Sequence, residues 1–361
     1  MLRRFARRPL AGCALTLLTP SRKTVYSGMV PGIVAGLYPA TAADIDVAGL
    51  ARAAGTLLVQ GRAGGLDPVA RQVFHDGGPA LGYDLLSLDV GSGSNTGPNA
   101  GLVAGAAHAI AVKPIGSLLE RLGTMRSALS ATGAGRVAVV GGGAAGVELA
   151  LALARQPTPG QAEPFALTLL AATELLPGFP SAARRRLRHD LAAAGVTVLA
   201  GSRVVEVTAD RLLLADGTVI AADAVLWAAA AAAPPWLAGC GLALDPGGFV
   251  RVDATLRAVG QDAVFAAGDV AAFERGAVPH AGVYAVRAAP LLAANLRAAS
   301  AGRRLRRWKP QRRALYVLST ADRRAVAVRA GVTLSGAWAW RLKDWLDRRF
   351  VARLNALAAG R

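Results

Sequence analysis

"RVAVVGGGAAGVELALALA", residues Arg136 to Ala154, is the stretch on which the reading of this chain turns. Its first residues, rich in β-branched side chains, read as a buried strand, the three glycines as a tight turn, and the alanine- and leucine-rich remainder as a helix. Gly141, Gly143 and Gly146 fit G-x-G-x-x-G directly after a strand and at the opening of a helix, the context that motif requires. The first glycine permits the turn, the second lets a diphosphate approach the backbone, and the third lets helix and strand pack closely. Amides at the helix start then hold the phosphates. A purely structural glycine turn is the plainer alternative; the flanking strand and helix favour a nucleotide.

Working outward, "FALTLLAATELL" (Phe165 to Leu176) reads as the next strand. An acid for the adenosine ribose belongs at its end, where Ala171 and Ala172 stand and Glu174 follows late. No arginine is placed for a 2′-phosphate, so the nucleotide is read as NAD(P)H, with NADH favoured. A basic helix over Ala182 to Ala194 and short strands turning at Asp216-Gly217 close a compact nucleotide-binding insert. Further on, "GFVRVDATLRAVGQDAVFAAGDVA" (Gly248 to Ala271) has an apolar strand, Ala263 to Ala267, that runs into Gly268-Asp269 and a small-residue helix start. A carboxylate at such a junction can accept hydrogen bonds from sugar or ribityl hydroxyls, and Gly268 allows close approach.

Composition is that of a large globular α/β protein: 361 residues, 53% hydrophobic, with 42 glycines, enough for two or three lobes. Cys13 and Cys240 are its only cysteines, so a disulfide framework, a zinc knuckle and a redox dithiol are excluded. The four histidines, His75, His108, His189 and His280, show no ligand spacing, and no Ser-His-Asp set suggests itself. The net charge of +18 is concentrated: from Arg303 to Arg361 there are 16 Lys or Arg against three acids. Such a block suits an anionic surface, or a solvated face in an arginine-rich chain.

The Gly268-Asp269 stretch resembles the second flavin motif of the FAD-dependent pyridine nucleotide-disulfide oxidoreductases. "YDLLSLDVGS" (Tyr83 to Ser92), "AVKPIGSLLERL" (Ala111 to Leu122) and "HAGVYAVRAAPLLAANL" (His280 to Leu296) are similar to further stretches of that family. "VYSGMVPGIVAGLY" (Val25 to Tyr38), with Tyr26 and Pro31, resembles the flavin-proximal loop of a subgroup similar to type II NADH dehydrogenases and to the oxidoreductase module fused to selenide, water dikinase. The resemblance implies FAD and NAD(P)H as cofactors, hydride transfer from nicotinamide to flavin, and electrons passed to a small non-disulfide acceptor such as a quinone. It places Tyr26, Pro31, Lys113, Gly268, Asp269 and His280 at the flavin, and Gly141, Gly143, Gly146 and Glu148 at the nicotinamide nucleotide. For three of these a second reading stands: Glu148 as a carboxylate favoured by the helix dipole, Lys113 as a solvated loop lysine, His280 as a structural histidine. No catalytic side chain and no metal ligand is implied. Two departures touch the site, Ala228 to Ala233 where the family usually carries Thr-Gly, and Ala288-Ala289 where Gln-Gly often stands.

The opening "MLRRFARRPLAGCALTLLTP" has its apolar run after the cysteine, the wrong order for an export signal. Against the family it reads as the end of a first helix (Leu2 to Arg8) followed by a buried strand (Cys13 to Leu18). The family's own first strand and glycine loop, which cradle the FAD diphosphate, have no counterpart here. The expectation is poor FAD retention and a tendency to aggregate for the chain as it stands, and a non-catalytic nucleotide-binding protein as the alternative function.

At the other end, Trp338, Leu342, Trp345, Leu346, Phe350, Leu354 and Leu357 recur at three- and four-residue steps among Arg341, Lys343, Arg348, Arg349 and Arg353. This amphipathic basic helix either packs on its own flavin domain or a homodimer mate, or lies on a membrane; nucleic acid is disfavoured for want of a reading module. The expected location is cytoplasmic, with peripheral contact at the inner membrane face if the helix binds lipid. The expected architecture is two Rossmann-like domains, the second inserted in the first, plus a small α+β C-terminal region: FAD-binding residues 1–110 and 236–302, NAD(P)-binding residues 111–235, and a basic region 303–361.

Overall fold

The computed structural model describes residues 1–94, 103–132, 135–156, 165–229 and 231–360. Its helices are α1 (Leu2–Arg7), α2 (Val30–Val34), α3 (Val47–Ala53), α4 (Leu118–Thr132), α5 (Ala144–Arg155), α6 (Ser181–Ala193), α7 (Gly282–Ser300) and α8 (Ala337–Ala358).

Val137 to Val140 are all buried, so both faces of that strand are covered, as the central position of a parallel sheet demands. The sheet has five parallel strands in the order Ile110–Ala111, Ala224–Trp227, Arg136–Val140, Ala166–Ala171 and Thr197–Ala200. Leu151 of α5, Leu187 and Leu191 of α6 and Leu118 and Leu122 of α4 pack with Val139 and Leu169 into one core. Each of these elements arises from contiguous sequence: a β-branched run, a turn, then a helix with a leucine face. At the strand ends Arg136 donates from its backbone and guanidinium to Asp223, which holds that carboxyl down at about 2.

The remaining parallel pairs come from distant segments. Leu15–Thr19 pairs with Thr56–Gln60, and Leu86–Leu88 with Val264–Ala266. Leu15–Thr19 is half-buried rather than buried, and Cys13 lies exposed ahead of it, which corrects the expected buried strand Cys13 to Leu18. The reason is its environment: one strand partner on one edge among the described residues, with Leu15 and Leu18 only partly buried against the core that holds Phe5. Arg297 of α7 fastens this region by donating to the carbonyls of Arg4 and Arg8 while stacking over Phe5.

Two further expectations change. After Gly268–Val270, a 3₁₀ turn, the chain continues as the strand Ala271–Phe273, paired with Val250–Val252, and the helix begins only at Gly282. The C-terminal α+β region is an antiparallel sheet of Tyr316–Ser319, Ala325–Arg329 and Val332–Gly336, followed by α8. The apolar residues of α8 do not form one face: Phe350, Leu354 and Leu357 pack inward beside Val351, whereas Trp338, Trp345 and Leu346 are exposed. No helix among the described residues is long and apolar enough to cross a membrane.

Candidate functional site

The glycine turn after Arg136–Val140 divides its work among its three glycines. Gly141 has φ +135°, and a Cβ there would stand 2.6 Å from the Ala228 carbonyl carbon. A Cβ on Gly146 would stand 1.9 Å from the Gly141 oxygen. These two positions therefore exist for backbone packing. A Cβ on Gly143 meets nothing within 4 Å, and Gly143 caps α5 without any side-chain hydrogen bond. An open backbone at the start of a twelve-residue helix is the cradle a diphosphate needs. The residues present thus fit a dinucleotide. Ala228 backs this turn through its amide bond to the Val140 carbonyl; Ala230 lies outside the described residues.

Beside the turn, the Leu176 amide donates to the Gly142 carbonyl at 2.7 Å, which fixes the loop carrying Glu174. Glu174 is exposed and ion-paired with Arg184 of α6. The late acid and an arginine absent from the sequence reading therefore meet at the end of Ala166–Ala171, and the helical turn from Ser181 is what brings them together.

The second glycine site lies at the carboxyl ends of Leu86–Leu88 and Val264–Ala266, the end where open α/β sheets bind ligands. Gly268 has φ +75°, and a Cβ there would press on Ala285 of α7 at 3.3 Å. Asp269 accepts from Lys113 Nζ at 2.8 Å, and the same ammonium donates to Ser92 Oγ at 2.6 Å. Lys113 is further held by its amide, which donates to Ser94 Oγ at 3.0 Å. The solvated-loop reading of Lys113 is thereby corrected: it is a partly buried ion-pair partner. A carboxylate, an ammonium and a hydroxyl clustered beside a tightly packed, left-handed glycine fit a polyhydroxyl chain such as the ribityl of FAD. A cavity of about 20 Å³ next to Asp269, walled by Pro279, Tyr284 and Ala285, has room for about one water. His280 is turned onto Phe249, ring centroids 4.4 Å apart, and lines a separate surface groove with Arg251 and Glu274.

The third corner is where the sequence reading was incomplete. Tyr26 stacks on Phe350 of α8 at 4.7 Å and donates its hydroxyl to Asp347. Pro31 is buried in the first turn of α2, which packs on α5. Lys343 Nζ donates to Asp347 Oδ2 and to the Gly28 carbonyl, each at 2.7 Å. Glu148 of α5 accepts the Ser319 amide at 2.8 Å. Burial pushes the Glu148 carboxyl up, with Lys343 and the Ser319 amide pulling it back. Burial also pushes Asp347 up, again opposed by Lys343, and burial followed by the Asp347 charge raises the Tyr26 phenol. The structure thus gathers Tyr26 with Lys343 and Asp347 of the amphipathic basic helix, neither of which the sequence singles out as a site residue. The available signal was the Lys343/Asp347 spacing of four, which puts both on the inward stripe of α8 with Ala339 and Val351. The Lys113 and Tyr26 corners adjoin, because Ile115–Ser117, just after Lys113, packs on Lys23–Val25, the strand leading to Tyr26, and α2 beyond Tyr26 packs on α5 of the glycine turn.

Comparisons with known proteins give the chain's family and fold. The family described as pyridine nucleotide-disulphide oxidoreductase matches residues 6–289. A curated relative, the internal alternative NAD(P)H-ubiquinone oxidoreductase A1 of Arabidopsis thaliana mitochondria, is 29% identical over 142 residues, which are 37% of this chain and 28% of that protein. The chain therefore spans under a third of that relative's length. The sulfide:quinone oxidoreductase of Aquifex aeolicus superposes with a TM-score of 0.80 at 17% identity, covering 99% of this chain and 89% of the other. NDH2 of Plasmodium falciparum, solved in complex with NADH, superposes at 0.73 with 13% identity over 96% and 95%.

Proposed function

The chain belongs to the pyridine nucleotide-disulphide oxidoreductase family, and from that premise we propose that it is an FAD-dependent NADH oxidoreductase that delivers electrons to a non-disulfide acceptor of the quinone class. The observation that carries this reading is that two differently built glycine sites, Gly141–Gly146 and Gly268–Asp269, each stand at the carboxyl ends of paired parallel strands, in two separate sheets of the one chain. The dinucleotide's diphosphate belongs at Gly143 and the first amides of α5, and its ribose at Glu174. Asp269, Lys113 and Ser92 would hold the flavin's hydroxylated chain, with Tyr26 and Pro31 on the loop facing it. When bound, the flavin supplies the coupling between a two-electron donor and an acceptor that takes electrons singly or in pairs.

The chain's own groups position and insulate. Asp269 would orient hydroxyls, and Lys113 pairs with that carboxylate. Gly146 sets the height of α5 and so the depth to which a nicotinamide enters. Cys240 is buried and Cys13 exposed, each unpaired, so an internal dithiol relay has no place here. The exposed Trp338, Trp345 and Leu346 among arginines are the surface that peripheral membrane contact would use. The test is NADH-driven reduction of a soluble quinone by the FAD-loaded full chain. Turnover above a free-flavin control is expected; nucleotide binding without turnover would replace the enzyme with a nucleotide-binding protein.

A further inference from the structure

Asn295, on α7, is 0% exposed, and its side chain bonds to the backbone of two distant segments at once. Its Nδ2 donates to the Thr255 carbonyl at 2.7 Å and to the Arg306 carbonyl at 2.8 Å, and its Oδ1 accepts the Arg306 amide at 2.9 Å. Both donors and the acceptor of the amide are therefore in use. An aspartate has no such donors, and a leucine has neither donor nor acceptor.

The first segment it holds is the turn 253–257. Leu256 within it is 1% exposed and has φ +67°, a left-handed conformation disfavoured for any residue with a Cβ. The turn keeps that form because its carbonyls are taken one after another: Ala254 by the Trp308 amide at 2.6 Å, Thr255 by Asn295, and Leu256 by the Ala266 amide at 3.0 Å. Asp253 Oδ1 fastens the inside by accepting the Thr255 amide and hydroxyl, each at 2.7 Å. The second segment is the irregular stretch 303–313, whose seven Lys and Arg residues are exposed while Leu305 and Trp308 pack against the core. Trp308 stands edge-on to Phe273, ring centroids 5.4 Å apart.

Both segments reach the Asp269 corner. Leu256, Trp308 and Phe273 wall the cavity beside Asp269, opposite Tyr284 and Ala285 of α7. Ala266, bonded to Leu256, ends the strand that runs into Gly268-Asp269. Asn295 thus ties together a turn, a basic stretch and a helix that enclose one cavity.

We propose that Asn295 is a positioning residue of the flavin site and that Trp308 is the wall it holds in place, the two together keeping the strained turn at Leu256 and fixing the strand end from which Asp269 meets the flavin's hydroxylated chain. The inference rests on the flavin placement given above. It makes the stretch 303–313 part of the FAD-binding unit through its backbone and Trp308, although its sequence is conspicuous for charge. The nicotinamide site stands apart from this network, since none of these bonds runs to Gly141–Gly146 or to α5.

Titration of the full chain with FAD and, separately, with NADH reads the difference, in the parent and in Asn295→Leu, Trp308→Ala and Trp308→Phe. Asn295→Leu leaves the Thr255 and Arg306 carbonyls without their partner, so FAD should bind about tenfold more weakly, with altered visible circular dichroism of the bound flavin. The NADH constant should stay within about twofold of the parent's, as expected of a site that shares no partner. Trp308→Ala should behave alike, and Trp308→Phe, which keeps an aromatic wall against Phe273, should restore both FAD binding and the spectrum. If Asn295→Leu fails to fold, the two Trp308 variants decide. A merely structural role would lower the melting temperature and leave the FAD constant and the flavin spectrum as in the parent; that result, or equal loss of both cofactors, would overturn the inference and leave the functional reading intact. Failure of the parent chain itself to bind FAD would overturn the functional reading, and this inference with it.

Discussion

The two parallel-sheet regions of this molecule are built from the same motif by different means. Around Arg136–Val140, five parallel strands lie in one sheet, and strand, turn and helix follow one another in the chain. Around Gly268–Asp269, the parallel strands form separate pairs, Leu15–Thr19 with Thr56–Gln60 and Leu86–Leu88 with Val264–Ala266, joined across long separations. The first region owes its order to local sequence and a deep common core. The second depends on cross-links between distant segments, such as Arg297 on the Arg4 and Arg8 carbonyls and Lys113 on Asp269. The binding chemistry proposed above is therefore backbone-made in the first site and side-chain-made in the second.

That contrast can be broken by substitution. Gly146→Ala should be the most damaging, because a Cβ 1.9 Å from the Gly141 oxygen forces α5 off its strand; a loss of about 3 kcal/mol and of NADH binding is expected, read by thermal melting and titration. Gly143→Ala, in open space, should fold within about 0.5 kcal/mol of the parent yet bind NADH poorly, which separates cradle from scaffold. Asp269→Asn leaves Lys113 without its carboxylate and should weaken FAD binding by about tenfold to a hundredfold, with NADH binding by the other site unchanged; equal loss at both sites would erase the distinction. Asp223 sharpens it from the stability side. Its folded carboxyl at about 2 lies below the ordinary 3.8, so its contribution is present above the ordinary value and disappears as pH falls through about 2. Discounted for exposure, Asp223→Asn should lose about 1–2 kcal/mol at neutral pH and flatten the acid limb of stability against pH. The smallest effect is on specificity: Glu174→Gln should shift preference from NADH toward NADPH by about fivefold, since Arg184 is then released toward a 2′-phosphate.

The same contrast explains what could be read from sequence. Arg136 to Ala154 was legible because the strand period, the glycine spacing and the helix all sit within nineteen residues and answer to local rules. Gly268-Asp269 was legible as a motif, but its helix start was not: the strand Ala271–Phe273 exists only because Val250–Val252 offers it an edge. For Lys113 the flavin-side and solvated readings stood level, since the partners that hold it, Ser92 and Asp269, lie 21 and 156 residues away. In α8 the hydrophobic period drew attention to Trp338 and Trp345, which are exposed, and away from Lys343 and Asp347, whose burial follows from meeting Gly28 and Tyr26 in space. Charged residues at a spacing of four usually face water, and only the tertiary contact reverses that expectation.

The central claim is that both sites serve one cleft, so that a nicotinamide bound at Gly141–Gly146 reaches a flavin bound at Asp269. Anaerobic rapid mixing of NADH with the FAD-loaded full chain tests it most directly. The expected result is loss of the oxidised flavin absorbance that saturates with NADH and slows sharply in Gly143→Ala. Bound flavin that stays oxidised while NADH occupies its own site would contradict it.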